Sequence, residues 1–135
     1  MRWKIELPEK PLSALKFCKK ASSRFNTKQI NQVRVRPGRR GMGVYGICEG
    51  CRDFGYRISC AVPGPFPFRV KLNKPFIKVQ LEYETLNNID EAFVWIFGHE
   101  LFHFLRFTSQ FKGVNDEINA DKFGSRLLSE FRKLR

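Results

Sequence analysis

The chain of 135 residues contains only two histidines and has no long apolar run. No stretch approaches the ~20 apolar residues of a membrane-spanning helix, so we expect no contact with a membrane. The first eight residues, MRWKIELP, lack the apolar core and the cleavage site of a signal peptide, which predicts a cytoplasmic protein. At this length we expect a single domain, residues 1–135, with one hydrophobic core.

Acidic residues are scarce in the first third of the chain. Residues 1–45 hold twelve Lys or Arg against two Glu, a net charge of +10, whereas residues 46–135 hold thirteen basic and eleven acidic residues, a net of +2. A basic segment suits contact with nucleic acid or another polyanion, and the alternative is a solvated surface that only aids solubility. The densest basic patch predicts the polyanion contacts as Arg34, Arg36, Arg39 and Arg40.

The hydropathy pattern predicts an α+β fold. A basic amphipathic helix is expected at residues 10–25, and a rigid proline-rich loop at residues 63–67, followed by a short extended piece. Alternating or apolar runs predict four strands, at residues 31–36, 42–48, 54–62 and 76–84. The predicted architecture is an N-terminal helix, a small twisted sheet that is antiparallel or mixed, and then two C-terminal helices.

The two C-terminal helices are expected at about residues 88–107 and 115–134. Asn88 is the predicted N-cap of the first, with Glu91 three residues later completing a capping box, and Asn115 is the predicted cap of the second. The first helix is apolar on all sides over its first half, so we expect it to be central and buried.

Both histidines lie in the pentapeptide HELFH. His99 and His103 are four residues apart, so on a helix they project from one face about one turn (~5.4 Å) apart. Two imidazoles at this spacing can bind one divalent cation, with the intervening Glu100 beside the open coordination position. On a buried helix these polar groups need partners, because burying them alone costs several kcal/mol. A metal ion supplies such a partner.

Two acidic residues on the last helix extend the motif. Glu117 lies in the first turn and Asp121 four residues later on the same face, and a short turn around Gly113 lets this helix fold back on the first. A catalytic zinc usually has three protein ligands, and His99, His103 and Glu117 form such a His₂Glu set. Asp121 is then placed to accept the second N–H of an imidazole, most simply that of His99.

The motif HELFH followed by EINAD resembles the gluzincin metallopeptidases. The spacer of thirteen residues between His103 and Glu117 resembles the minimal gluzincins and ImmA/IrrE-type peptidase domains, and the resemblance covers residues 88–128. It implies a zincin-like fold with one catalytic Zn²⁺, which His99, His103 and Glu117 bind. It also implies that Glu100 is the general base and that Asp121 supports a metal-binding histidine by accepting a hydrogen bond from it.

The implied activity is zinc-dependent hydrolysis of peptide bonds. In such enzymes the metal activates a water and polarises the scissile carbonyl, and the glutamate moves the proton. Families of this kind bind an extended peptide along a sheet edge, which here would come from the strands between residues 42 and 84. The chain has no third histidine for the oxyanion, so that role is left to a tyrosine, to an arginine or to no residue, and the candidate tyrosines are Tyr83, Tyr56 and Tyr45.

Three alternatives accompany the peptidase prediction. The helix can be structural, with hydrogen-bonded histidines and no metal, or the metal can serve chemistry on another substrate. The third alternative is a catalytically weak or inactive protein of this fold that acts as a basic, nucleic-acid-associated binding or regulatory module. A combination is also open, in which the basic third brings a peptidase to protein substrates on nucleic acid.

The four cysteines allow a second metal site. Cys48 and Cys51 form a C-x-x-C pair, Cys60 follows nine residues later, and Cys18 is available from the first helix. The four could bind a structural zinc, although a zinc ribbon needs a second close pair that this chain lacks. Reduced thiols are the simpler interpretation, a cytosolic setting disfavours a stable disulfide, and a thiol that blocks the catalytic metal in a latent form is a further possibility.

Overall fold

A computed structural model of the chain describes residues 1–39, 45–73 and 82–134. Within those ranges it has three helices and six strands, in a mixed α/β arrangement that agrees with the predicted α+β class. In chain order the elements are β1 (Arg2–Ile5), α1 (Leu12–Ser22), β2 (Ile30–Pro37), β3 (Gly46–Cys51), β4 (Gly55–Val62), β5 (Phe68–Lys71), β6 (Tyr83–Leu86), α2 (Ile89–Phe107) and α3 (Glu117–Lys133).

Four of the strands form one mixed sheet in the order β1-β2-β4-β3. β1, β2 and β4 run parallel to one another, and β3 pairs with β4 in the antiparallel direction. β5 and β6 form a separate antiparallel pair. Among the strands that the structure describes, β3 is therefore the outer strand on one side of the sheet and β1 on the other.

The two faces of the sheet differ in burial. Side chains at alternate positions along β2 and β4, such as Val33, Val35, Ile58 and Cys60, are completely buried. Helix α2 packs on β3 and β4 from the side of the sheet to which these side chains point. We call this side the inner face. The residues between them along each strand point the other way, because successive side chains in a strand project to opposite faces.

Helix α2 is the centre of the core. It packs against the sheet, α1 and α3, and its side chains are buried around its whole circumference over the first half, as expected from the sequence. Phe93, Phe97 and Phe104 are fully buried and contribute much of the apolar area. In the described ranges, even this helix lacks the combination of length and apolarity that crossing a membrane requires.

Helices α2 and α3 approach each other closely at a pair of glycines. A Cβ atom on Gly124 would lie 2.7 Å from the carbonyl oxygen of Trp95, and one on Gly98 would lie 3.0 Å from the Cα of Gly124. Both are buried within the helix pair, so the absence of side chains sets the distance between the two backbones. This contact brings the middle of α3 close against the middle of α2.

The strand predictions agree with the structure where it describes the chain, with shifted ends. The helix predicted at 10–25 is confirmed but shorter, and β2 and β4 match the strands predicted at 31–36 and 54–62. β3 begins at Gly46, so it runs later than the predicted 42–48, of which 42–44 lie outside the described residues. Of the strand predicted at 76–84, residues 76–81 lie outside them too, and the described part is β6.

One of the two predicted caps is correct and the other is wrong. Asn88 caps α2 by accepting a hydrogen bond from the backbone N–H of Glu91, while the Glu91 carboxylate accepts from Asn87 instead of closing a capping box. Asn115 does not cap α3; that role belongs to Asp116, whose side chain accepts from the N–H of Asn119. The residue nearest the helix start competes best for these donors, which frees Asn115 for another partner.

Candidate metal centre

The two histidines and Glu100 lie on one side of α2, toward its C-terminal half. The imidazole rings of His99 and His103 have centroids 5.1 Å apart, the separation expected of helical residues at i and i+4. One ligand atom from each of His99, Glu100 and His103 lies within 4.8 Å of the others, so this cluster can hold a metal ion. His99 and Glu100 are buried, and His103 is half-buried.

Glu117 reaches both imidazoles from the first turn of α3. Its Oε2 lies 2.9 Å from Nε2 of His99, and its Oε1 lies 2.9 Å from Nε2 of His103. The chain reverses through Gly113, whose φ of +119° is accessible to glycine and strained for other residues. Three potential ligand groups thus converge on one point from two helices.

Asp121 lies behind His99, one turn further along α3. Its Oδ1 is 2.9 Å from Nδ1 of His99, within ion-pair distance but away from the in-line direction of a hydrogen bond. Its Oδ2 accepts hydrogen bonds from the backbone N–H and the side-chain amide of Asn73, at 2.8 and 2.9 Å. Asn73 follows β5, so a loop outside the helix pair fixes the orientation of this buried carboxylate.

His103 has its own polar partner behind the ring. Nδ1 of His103 lies 2.7 Å from Oδ1 of Asn115, the residue whose predicted capping role falls to Asp116. If the ring donates from Nδ1 to this oxygen, its Nε2 carries the lone pair toward Glu117 and the shared point. Both imidazoles therefore have an oxygen atom within 2.9 Å of Nδ1, although only that of His103 is in hydrogen-bond geometry, and both turn Nε2 toward Glu117.

The surroundings of the cluster shift two pKa values. Burial raises the pKa of Glu100, and the nearby imidazoles only partly offset this effect. Burial lowers the pKa of His99, but the contact with Asp121 and the charges of Glu100, Asp121 and Glu117 outweigh it, so its pKa lies above the usual range. The acidic groups around His99 therefore make this a place where positive charge is favoured.

The donor set fits a zinc ion. Imidazole nitrogens and a carboxylate oxygen at 2.0–2.1 Å from a tetrahedral zinc lie about 3.3 Å from one another. The two measured nitrogen–oxygen distances of 2.9 Å are slightly shorter, so a small outward shift of the Glu117 carboxylate would make room. Among the described residues, no lysine or arginine forms an ion pair with Glu100, Glu117 or Asp121, so none of those residues competes with a metal cation for these carboxylates.

A cavity of about 520 Å³ opens over the cluster. One wall is the start of β3, where a Cβ atom on Gly46 would lie 2.7 Å from Oε2 of Glu100, so glycine leaves room for this carboxylate. The residues that line the cavity are Tyr45, Gly46, Ile47, Cys48, Val70, Lys71, Asn73, Trp95, Ile96, His99, Glu100, His103, Phe107, Glu117 and Asp121.

The structure separates the three tyrosines that the sequence analysis proposed for the oxyanion. Tyr45 lines the cavity, with its ring edge-on to Phe68. Tyr56 is buried in the core against Phe104, and Tyr83 is partly exposed on β6 with the Arg69 guanidinium over its ring. Among the described tyrosines, Tyr45 alone lines this cavity.

The four cysteines are not gathered into a metal site. Cys48 and Cys51 are three residues apart in a single strand, so they project to opposite faces of β3, and Cys51 is exposed. Cys18 and Cys60 are buried thiols of the core, and burial raises the pKa of each. The described residues therefore show no four-cysteine cluster, because the C-x-x-C pair forms a strand instead of a knuckle.

The arginines predicted as polyanion contacts lie at the end of β2 and beyond. Arg34 forms an ion pair with Glu6, while Arg36 and Arg39 are exposed. Arg40 lies outside the described residues. Contact of these arginines with a polyanion therefore stays a prediction, and Arg34 among them already has a carboxylate partner.

Three residues that shape the site, Asn73, Gly46 and Asn115, could not be predicted from the sequence. Asn73 and Gly46 approach it from distant parts of the chain, and local spacing contains no signal for such contacts. Asn115 is a polar residue just before α3, and the sequence does not distinguish an asparagine that caps a helix from one that contacts a histidine. Comparison of the chain with protein-family models, with curated proteins and with solved structures gives no match.

Proposed function

We propose that the protein is a zinc-dependent peptidase with a zincin-like fold. The observation that carries the proposal is the convergence of His99, His103 and Glu117 on one point, with Glu100 beside it in an open cavity. This arrangement matches three protein ligands and a fourth, open position, which is typical of catalytic zinc. The cavity gives a substrate access to that position.

In this proposal each residue of the cluster has a separate role. His99, His103 and Glu117 would hold the ion, and Asp121 and Asn115 would keep the two imidazoles oriented with Nε2 toward it. A zinc ion bound there supplies Lewis acidity and lowers the pKa of water. Glu100, whose Oε2 is 3.7 Å from Nε2 of His99, would take a proton from a water held there and deliver it to the leaving amine.

The sheet edge beside the cavity favours an extended peptide as substrate. Gly46, Ile47 and Cys48 of β3 line the cavity, and β3 is the outer strand of the sheet within the described ranges. A peptide that adds to this edge forms backbone hydrogen bonds with β3 and brings its scissile bond over the metal cluster. Tyr45, on the same wall, is the tyrosine best placed to donate to the oxyanion.

The test compares three proteins by metal content and by cleavage. The native chain should contain one zinc and hydrolyse members of a mixed peptide library, detected by mass spectrometry. Glu100→Gln should keep the zinc and lose cleavage by at least a hundredfold, because it removes only the proton acceptor. Glu9→Gln changes an exposed carboxylate in the same way, is distant in sequence, and should behave as the native chain.

Several results would contradict the proposal. Absence of zinc in the native protein removes its basis, and equal cleavage by Glu100→Gln removes the role of the base. A zinc-bound native protein that cleaves no peptide in the library favours the binding-module alternative. Two zincs per chain would indicate a second site, for which the cysteines are the candidates. His99→Ala should then lose one ion and keep the other.

A further inference from the structure

The side of the sheet opposite α2 carries most of the charge of the N-terminal strands. We call this side the outer face. The buried positions Val33, Val35, Ile58 and Cys60 fix the alternation, and the pairing register brings the residues between them into rows. One row runs Arg2, Gln32, Arg57, Glu49, and the next runs Lys4, Arg34, Ser59, Ile47.

The charge of the outer face is unbalanced. Of the residues that the structure describes, five cations, Arg2, Lys4, Arg34, Arg36 and Arg57, share it with two carboxylates, Glu6 and Glu49. The carboxylates pair with Arg34 and Arg57, each at 2.5 Å. Arg2, Lys4 and Arg36 are exposed and form no ion pair with a described residue, so three positive charges remain available to an outside anion.

Three cations of the outer face, Arg34, Lys4 and Arg36, act on the carboxyl group of Glu6. The hydrogen bond from Arg34 lowers the pKa of this carboxyl group, and the charges of Lys4 and Arg36 lower it further. All three cations are therefore close enough to act on one anionic group. Cations two residues apart on one strand, such as Lys4 and Arg2, lie about 6.6 Å apart, which suits the successive phosphates of an extended strand.

A cleft with an aromatic wall adjoins the Arg2 end of the outer face. Its volume is about 490 Å³, and its lining includes Arg2, Asn31, Gln32, Phe54 and Arg57. Phe54 lies at the turn between β3 and β4 and is 84% exposed. The backbone carbonyl of Phe54 accepts a hydrogen bond of 2.9 Å from the Asn31 amide, which anchors the turn to β2.

We propose that the outer face and this cleft bind single-stranded nucleic acid. Arg2, Lys4 and Arg36 contact phosphates, a base stacks on Phe54, and the amide of Gln32 meets a base edge. A duplex presents no base face to an exposed aromatic ring, whereas a single strand does, so the position of Phe54 favours the single strand. An acidic peptide would use the cations but has no need for the ring.

The first experiment measures binding of a labelled single-stranded DNA of mixed sequence by fluorescence anisotropy. A length of about 20 nucleotides exceeds the ~4–16 nucleotides that a single OB-fold domain covers. Binding is measured at salt concentrations between about 50 and 200 mM, because the slope of log affinity against log salt counts phosphate contacts. The same measurements with the duplex form and with polyglutamate identify the class of ligand.

A charge-matched pair of variants locates the site. The triple variant Arg2→Ala, Lys4→Ala, Arg36→Ala should bind about 10- to 100-fold more weakly, and its salt slope should fall by about 2, at ~0.7 for each lost contact. The triple variant Lys16→Ala, Lys19→Ala, Lys20→Ala removes the same charge from exposed positions on α1. It should change the affinity by less than about threefold, because these lysines are not on the outer face.

Phe54→Ala tests the stacking contact separately. Because the ring is almost fully exposed, this variant should keep its fold, which circular dichroism checks. Single-strand affinity should fall about 5- to 100-fold with an unchanged salt slope, and duplex affinity should not change.

Three outcomes would overturn the inference. An equal loss in the two triple variants indicates attraction by net charge alone. Duplex binding as tight as single-strand binding, with no effect of Phe54→Ala, excludes stacking. Polyglutamate binding as tight as that of the single strand identifies an acidic protein as the partner. All three results are independent of peptidase activity, since none of these variants touches the metal cluster.

Discussion

The two faces of the sheet use charged residues in opposite ways. On the inner side, His99, Glu100 and Asp121 are buried and lie within a few ångströms of one another, so their positions are fixed by packing. On the outer face the charges are exposed, and the ion pairs there are of the kind that contributes little to stability. Burial makes electrostatic contacts strong and specific, whereas exposure leaves a field that acts on partners and is screened by salt.

The contrast has a consequence for mutations. Substitutions at the metal cluster should act through geometry and be insensitive to salt. Substitutions on the outer face should act through charge and lose their effect at high salt.

The largest effect is expected from Asp121→Asn. This change removes the charge 2.9 Å from Nδ1 of His99 but keeps an oxygen that Asn73 can bond. Loss of such a partner behind a ligand typically lowers metal affinity about 10–100-fold. Competition with a chromogenic zinc chelator measures the affinity. Asp53→Asn, at the exposed β3–β4 turn, is the control and should have native affinity.

Unchanged zinc affinity in Asp121→Asn would mean that this carboxylate serves only to anchor Asn73. The unfolding free energy of the metal-free protein separates the two roles, because an anchor contributes to stability even without the ion. The prediction requires a clear loss of affinity in a protein that remains folded.

The second prediction concerns the contact between the two metal-site helices. In Gly124→Ala the new Cβ would lie 2.7 Å from the Trp95 carbonyl oxygen, so the helices must move apart. Overpacking of this kind costs about 1–3 kcal/mol, against a gain of up to ~1 kcal/mol from the higher helix propensity of alanine. We expect a net loss of about 1–2 kcal/mol in urea unfolding, with weaker zinc binding as Glu117 withdraws.

Ser129→Ala is the matched control for Gly124→Ala. It places the same residue at an exposed position of α3 and should change the unfolding free energy by less than about 0.5 kcal/mol. Equal stabilities of the two variants would show that the glycine pair does not set the distance between the helices.

Sequence reasoning succeeded where the signal is local. The helix α2, its Asn88 cap and the gathering of the histidines follow from spacings of three and four residues, which the helix period converts into proximity. The start of α3 was predicted within two residues, although the cap was assigned to Asn115 instead of Asp116. A shift of this size is normal at helix ends, but here it concealed the partner of His103.

Sequence reasoning failed where the outcome depends on long-range pairing. Strand β1 has only four residues, and its alternation of Arg2, Trp3, Lys4 and Ile5 is too short to predict a strand. The predicted basic patch, Arg34, Arg36, Arg39 and Arg40, was chosen because these residues are close in sequence. Which cations lie on the same face of the sheet depends also on the register of β1 against β2. That register is set by tertiary packing, as are the approaches of Gly46 and Asn73 to the metal cluster.

The smallest effect is expected from Glu6→Gln on the outer face. The change removes a carboxylate that Arg34 contacts at 2.5 Å, and so releases that arginine for a phosphate. Affinity for single-stranded DNA should rise about two- to threefold at low salt, and the gain should vanish as salt rises. The melting temperature should hardly change, because exposed ion pairs contribute little to stability. Glu130→Gln breaks the exposed pair with Arg24, away from this face, and should leave DNA affinity unaltered. A gain of equal size in both variants would assign the effect to net charge, and the distinction between a specific outer face and a generally basic surface would be lost.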